Sequence, residues 1–499
     1  MAHGIERHIC NWKRAGNDKT YVGELVVDGN QVEFYVKDLG NASPAVYIGC
    51  DCGHYYKIVT TGFSQWGKNK TLENAASYNV SYVLQQNEML SDCRDTNGIY
   101  SFSFMIPELI EWFYGINTVE ILPSPEGQEM YAREIILPEI ILHDENPRIT
   151  IGFESSSINE TMQTDSRTEV IIKNEPRIFV KYESAVDTNQ VIKDIRCLMN
   201  FWGLMIGMVT NAIDIRLDID GQACKSWLNL NRDFSYNTTN RCILHRPRTI
   251  IGTIGNEIQR YYTGWHHFFY DEKYDLVRNM FFLVNNRKEI FAEDIFVSYV
   301  RILEGYHLRI SGDEEKATQL EAAIKASKKK IKKLIFNDEG KPLFSDVLDE
   351  VIPGWGFTSS HADNIAGWIA QGFLGRTSLS DRLKMLDNDY FRIIANNASI
   401  LTAPISTSIT AETENQYYKM IVCTRNYYSH FKHDKTNVLS FRQLHDSIFV
   451  LKALIIMVFL SQMGFDEDEM RKIMSWDEEL GHRTMYLRKP GEKHPIMLD

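Results

Sequence analysis

The stretch CTRNYYSHFKHD, from Cys423 to Asp434, gathers an arginine, an asparagine, two tyrosines, two histidines and an aspartate in one helix-compatible segment. Arg425 carries a permanent charge on a planar fork suited to a phosphate, and His430 takes or gives a proton near neutral pH. Together they suit RNA cleavage without a metal. In that reaction the ribose 2′-hydroxyl attacks its own phosphate, a histidine serves as base or acid, and the arginine stabilises charge on the phosphoryl oxygens. DNA lacks the nucleophile. Asn426 can bond the phosphate or hold His430, while Tyr427 and Tyr428 can stack on a base or equally pack a core.

On a helix, Asn426, His430 and Asp434 fall at i, i+4 and i+8 on one face, with His433 nearby. Arg425 lies five residues before His430, about 140° away around the axis at 3.6 residues per turn. One straight helix does not aim both side chains at one point. Two copies facing each other across a two-fold contact bring arginine and histidine from both chains into one cleft, because such a contact pairs a segment with itself. From spacing alone the alternative stands beside this reading: a charged helix end capped by Asp434, with His433 solvated rather than touching RNA.

The elements that must position this segment divide the chain into an α+β multidomain protein. Residues 1–275 read as β-rich. GELVVDGNQVEFYVKDL alternates around an Asp28-Gly29-Asn30 turn, with Glu24, Val26, Val32 and Phe34 flanking it, which predicts a hairpin. Further strands are expected in 97–106, 133–144, 148–155, 169–184 and 212–221, all rich in β-branched or aromatic residues, and together they suggest a sandwich or barrel-like domain. Residues 187–207 have helical apolar spacing instead. From about 276 the pattern turns to long helices, including AEDIFVSYVRILEGYHLRI (292–310). A final core helix is predicted to begin near Ser440, which with Gln443 can form a capping box.

Composition narrows the function classes. With 499 residues, 44% hydrophobic and 24% charged, the chain has room for two or three globular domains. The first twenty residues lack the apolar core of a secretory signal, and the run Ile448–Leu460 is too short and too interrupted by Lys452 to span a bilayer, so export and membrane insertion are not expected. Eight cysteines in a chain this long fit reduced thiols of a cytoplasmic protein. CDCGH, with Cys50, Cys52, His54 and perhaps Cys93, has a spacing unlike structural zinc knuckles, and a metal-dependent enzyme built on it is a minor alternative. IIGTIGNEI lacks the Lys-Ser/Thr ending of a phosphate loop, so no cofactor is expected. A net charge of −12 opposes coating of nucleic acid by the whole surface. Any RNA site must be local. The run Lys328, Lys329, Lys330, Lys332 and Lys333 is either a solvated helix end or an RNA-phosphate surface.

RNYYSH, Arg425 to His430, resembles the R-x4-6-H signature of the HEPN superfamily, including the polar residue after the arginine. In that superfamily the motif lies near the start of a late helix in a helical bundle and is followed by an apolar helix, here FRQLHDSIFVLKALIIMVFLSQMGF. The layout, a β-rich domain joined to helices with YVRILEGYH in an early one, resembles ApeA-type bacterial antiphage proteins, with GELVVDG near the start. The resemblance implies a metal-independent endoribonuclease over residues 276–499, paired as a homodimer or higher homo-oligomer, that cleaves tRNA or other cellular RNA on infection and arrests growth. It implies a sensor, regulatory or RNA-positioning role for residues 1–275, with a phage-derived trigger. It also gives Glu304 a role, since relatives carry an acidic residue there that contacts the motif arginine; the alternative is an exposed helix carboxylate. A noncatalytic HEPN dimerisation or RNA-binding module remains the competing function.

Overall fold

The computed structural model describes residues 5–477 apart from 18, 29–30, 38–43, 68–71, 73–74, 88–97, 114–115, 117–118, 124–129, 135–136, 162–167, 231–246, 288–289, 312–321, 324, 329, 332–363, 368, 370–376, 402–408 and 431–434. The chain forms two compact units. One comprises Met1–Phe269 with Leu460–Glu478, the other Tyr270–Phe459 with Glu479–Asp499.

In the first unit, strands β1 (Glu6–Arg14), β2 (Thr20–Asp28), β3 (Gln31–Val36), β4 (Val46–Asp51), β5 (His54–Gly67) and β6 (Ala75–Gln86) close a ring. Their order is β6-β3-β2-β1-β4-β5, and β5 pairs again with β6. Closure removes the free edges that an open sheet leaves. This is the barrel alternative of the sequence reading. Its interior is filled by Trp12, Phe34, Tyr47, Ile58 and Tyr78. A Cβ at Gly23 would come within 2.6 Å of the Trp12 ring and one at Gly49 within 2.7 Å, so two glycines on the strands flanking β1 make the space the indole fills. Asp28 pairs with Gln31 across the predicted hairpin, whose Gly29 and Asn30 lie outside the described residues.

The sheet continues through β7 (Ile99–Met105), β10 (Ile140–His143), β11 (Arg148–Thr161), β12 (Thr168–Val186), β13 (Ile213–Ile219) and β14 (Gln222–Leu228), in the order β10-β11-β12-β7-β13-β14 onto β6, while β8 (Val119–Pro123) and β9 (Met130–Glu134) pair with each other. Helix α1 (Thr188–Ile206) starts where the Asp187 side chain accepts the Gln190 N–H and stops at Gly207, whose φ of 81° is the left-handed geometry glycine adopts freely. Arg177, only 1% exposed, is fixed by Glu154 at 2.8 Å, by Ser103 at 3.1 Å and by Asp214, and Arg216 bonds the same two carboxylates at 2.8 and 2.6 Å. Two short helices follow, α2 (Ile251–Ile254) and α3 (Ile258–Tyr270).

The expected division at 275/276 runs along the chain, whereas the compact units interleave. Residues 460–478, with helix α10 (Glu467–Trp476), belong to the first unit. Tyr261 stacks on Phe465 at 3.7 Å, and the buried Arg248 donates to the buried Asp477 at 2.5 Å.

The second unit contains α4 (Asp275–Asn286), α5 (Ala292–Ile310), α6 (Leu379–Asp389), the single turn α7 (Ile393–Asn396), α8 (Ala411–His430) and most of α9 (Phe441–Gln462). Ser440 and Gln443 make the predicted capping box: the Ser440 N–H donates to Oε1 of Gln443 at 2.9 Å and the Gln443 N–H to the Ser440 hydroxyl at 3.4 Å. Helix α9 is long and apolar enough to cross a membrane, but 72% of its most apolar window is buried within the protein, and Phe459 meets Phe281 edge-on at 5.0 Å. It is a core helix. The architecture is the β-rich region followed by a helical bundle that the sequence led us to expect.

Candidate functional site

Helix α8 begins at a local signal: the Thr410 hydroxyl accepts the Thr413 N–H at 3.2 Å, and Glu412 and Glu414 occupy the first turn, where acidic groups complement the helix dipole. Tyr417, Tyr418, Ile421 and Thr424 form its buried stripe. Three bonds fix that stripe. The Tyr417 hydroxyl donates to Ser447 of α9 at 2.8 Å, the Tyr418 hydroxyl donates to Asp387 of α6, and the Thr424 hydroxyl accepts the Leu439 N–H at 2.8 Å, drawing the chain after α8 back onto it. Asp387 also accepts the N–H groups of Ile394 and Ala395 at 2.7 and 2.9 Å, so one carboxylate joins α6, α7 and α8. Burial pushes its carboxyl up to about 6 although these hydrogen bonds and Arg392 pull it down.

With the stripe fixed inward, Arg425, Asn426, Tyr427, Tyr428 and Ser429 are half-buried and His430 is exposed. The Arg425 guanidinium donates through Nη2 to Glu304 of α5 at 3.1 Å and through Nη1 to the Asn426 side-chain oxygen at 3.0 Å. Glu304 is therefore at the arginine, where the family resemblance put it. Two further donors are buried without a hydrogen-bond partner among the described residues: Nε of Arg425 and the hydroxyl of Ser429, one turn apart. The Tyr427 and Tyr428 rings meet edge-on at 5.0 Å, and the Lys435 ammonium lies 6.0 Å from the Tyr427 centroid. Burial, with Glu293 nearby, raises the Tyr428 hydroxyl.

Several expectations need restating. The motif sits at the end of its helix rather than near the start, because the Thr410 cap and the acidic turn start α8 well before Arg425. Asn426 faces Arg425 and makes no bond to His430 among the described residues. Arg425 and His430 are not brought together within one chain, as their angular separation requires. His433 and Asp434 lie outside the described residues, as do Lys329, Lys332, Lys333 and Cys93, while Lys328 is half-buried and Lys330 exposed. Cys50 and Cys52 are exposed, and the His54 ring bonds Asn87 at 2.9 Å. Among the described residues no three His, Cys, Asp or Glu side chains are placed to share a metal ion. Sequence reasoning missed Asp387, Thr424 and Lys435; Thr424 lies within Cys423–Asp434 and Lys435 directly follows it, whereas Asp387 carried no local signal.

An arginine clamped by a carboxylate of an earlier helix, with a histidine five residues on and an apolar core helix after it, is the arrangement that the HEPN resemblance implies. Residues 297–469, which include Glu304, Arg425, Asn426 and His430, match the Apea-like HEPN family, and residues 8–265 match ApeA N-terminal domain 1. The second match alone covers more than half of the chain, and the protein belongs to the ApeA family, as an antiphage-defence HEPN protein. No curated protein and no solved structure matches it.

Proposed function

We propose that the protein is an endoribonuclease that works without a metal, in the cytoplasm, and arrests growth by cutting cellular RNA when infection releases it. The observation that carries this reading is the placement of Arg425. Its guanidinium is oriented by Glu304 and Asn426, it keeps an unused Nε donor, and an exposed His430 follows five residues on in the same helix. Arginine supplies the fixed positive charge that would otherwise come from a cation at the phosphoryl oxygens, and histidine moves the proton of the 2′-hydroxyl or of the leaving oxygen. The product of that route is a 2′,3′-cyclic phosphate.

Because the two groups diverge around one helix, the reading includes pairing of two HEPN domains so that each cleft combines arginine and histidine from both copies. The test is sequencing of RNA ends after induction in cells carrying the unchanged protein or His430→Ala, together with cleavage by purified protein in EDTA. New cyclic-phosphate ends that need His430 and survive EDTA are expected, and the cut positions identify the RNA, tRNA included. Binding of RNA without new ends would move the assignment to a noncatalytic module.

A further inference from the structure

The outer face of the first unit's sheet, opposite the side that buries Phe102, Phe104, Ile178, Val180 and Leu217, holds a groove of about 450 Å³. The register aligns its residues in two rows. Phe179 of β12 pairs with Thr150 and Ser103, and Ser103 with Arg216; Lys181 pairs with Arg148 and Ser101, and Ser101 with Asp218. Ser103 and Ser101 of β7 lie between Phe179 and Lys181 on one side and Arg216 and Asp218 on the other, so hydroxyls form the floor of that gap. The larger side chains form the rim.

Three features of the rim describe a ligand. Phe179 is 43% exposed, and its ring lies 3.2 Å from where a Cβ on Gly152 would be; glycine there lets the ring lie along the sheet as a platform. Lys181, two residues on, is exposed and has no ion pair among the described residues, and Arg148 beside it is held only at 3.6 and 3.8 Å by Asp144 and Glu139. Asp218 receives the Ser101 hydroxyl at 3.4 Å on one oxygen, while its other oxygen is buried with no partner among the described residues. An aromatic platform, adjacent cations and an unfilled acceptor are the complement of a base, a phosphate and a sugar hydroxyl or base amino group.

We propose that this groove binds single-stranded RNA. Phe179 stacks a base, Lys181 and Arg148 contact the following phosphate, and Asp218 accepts from the neighbouring nucleotide. Phe179 and Asp218 stand two strands and two residues apart, roughly 12 Å from the spacings of a sheet, which exceeds one nucleotide and calls for at least two in sequence. The proposal concerns binding by the first unit and does not depend on catalysis by Arg425 and His430.

The test is fluorescence anisotropy with a labelled five-nucleotide oligoadenylate and the full-length protein carrying His430→Ala, so that the probe is not consumed. Phe179→Ala and Lys181→Glu should each weaken binding by about tenfold or more, the scale of one lost stack or one lost and reversed phosphate contact. Phe179→Trp should bind at least as well as phenylalanine, which separates loss of the platform from loss of fold. Asp218→Asn should reduce affinity severalfold, and the same sequence as DNA reports whether the donor it meets is the 2′-hydroxyl. Absence of binding, unchanged binding in Phe179→Ala and Lys181→Glu, or equal loss in Phe179→Ala and Phe179→Trp would each overturn the proposal. Cleavage by the His430-containing protein is scored separately, so that failure of one reading leaves the other standing.

Discussion

Two arginines, one in each unit, are held by carboxylates to different ends. Arg177 is 1% exposed and uses all of its nitrogens, Nε on Glu154, Nη1 on Ser103 and the Asp214 carbonyl, Nη2 on the Asp214 carboxylate. Arg425 is 20% exposed, donates once to Glu304 and once to its neighbour Asn426, and leaves Nε unmatched. A buried arginine with every side-chain nitrogen bonded is a structural tie, since a nitrogen left unbonded costs free energy. One that is oriented but incompletely satisfied keeps capacity for a substrate. At Arg177 the sheet unit spends its charges on itself, whereas at Arg425 the helical unit leaves a donor available.

That contrast breaks most directly at the motif. Arg425→Ala or His430→Ala should lower RNA cleavage by about 10²- to 10⁴-fold, the usual scale for a general acid–base group, with thermal unfolding unchanged. Retention of full cleavage and phage protection by both variants would sink the assignment. Arg177→Met should do the reverse. It leaves Glu154 and Asp214 with Arg216 alone and should destabilise the sheet unit by about 2–3 kcal/mol, read by denaturant unfolding.

The units should also answer acid in opposite directions. Burial holds Asp387 at about 6, above its ordinary 3.8, so the fold prefers the protonated form; stability is fully present below the ordinary value and lost as pH rises through 6. Burial, reinforced by His143, His267 and Lys193, depresses His266 to about 4, so its fold prefers neutral imidazole and stability is lost as pH falls from 6.5 to 4. Each effect is on the order of 2 kcal/mol. Hydrogen-exchange protection between pH 4 and 7 should therefore rise on acidification around α6 to α8 and fall around α3, and Asp387→Asn should flatten the first trend. The smallest effect belongs to Glu304→Gln, which keeps a hydrogen bond to Arg425 but removes the charge; about a tenfold loss in kcat with little change in KM or Tm is expected if Glu304 orients the arginine.

What the sequence made legible was local. Asp187 and Gly207 delimit α1, Ser440 and Gln443 start α9, and the Asp-Gly-Asn turn sets the register of β2 and β3, because each signal acts within a few residues. The run 133–144 supplied only Ile140–His143 to the large sheet, with Pro138, which has no N–H to donate, lying outside any strand. Closure of the barrel by β5 on β6 and the meeting of Gly23 and Gly49 over Trp12 depend on pairings distant in sequence, which alternation does not encode. Within the site, Arg425, Asn426 and His430 were legible from residue type. Glu304 lies 121 residues away from Arg425 and came only through the family resemblance. Asp387 was invisible, since an aspartate late in a polar helix shows no sign that it will be buried under Tyr418.

The return of residues 460–478 to the first unit has a practical consequence. A fragment ending at 275 would lack the α10 segment, leaving Tyr261 without Phe465 and the buried Arg248 without Asp477. A fragment of 276–499 would carry α10 without its partners Tyr261, Arg260 and Arg248. Cutting at the boundary suggested by sequence therefore damages both pieces, and the two activities proposed above are best dissected by point substitutions in the intact chain. Because residues 460–478 return to the sheet unit after Tyr270–Phe459, any cut between those segments parts the sheet unit from one of its own helices.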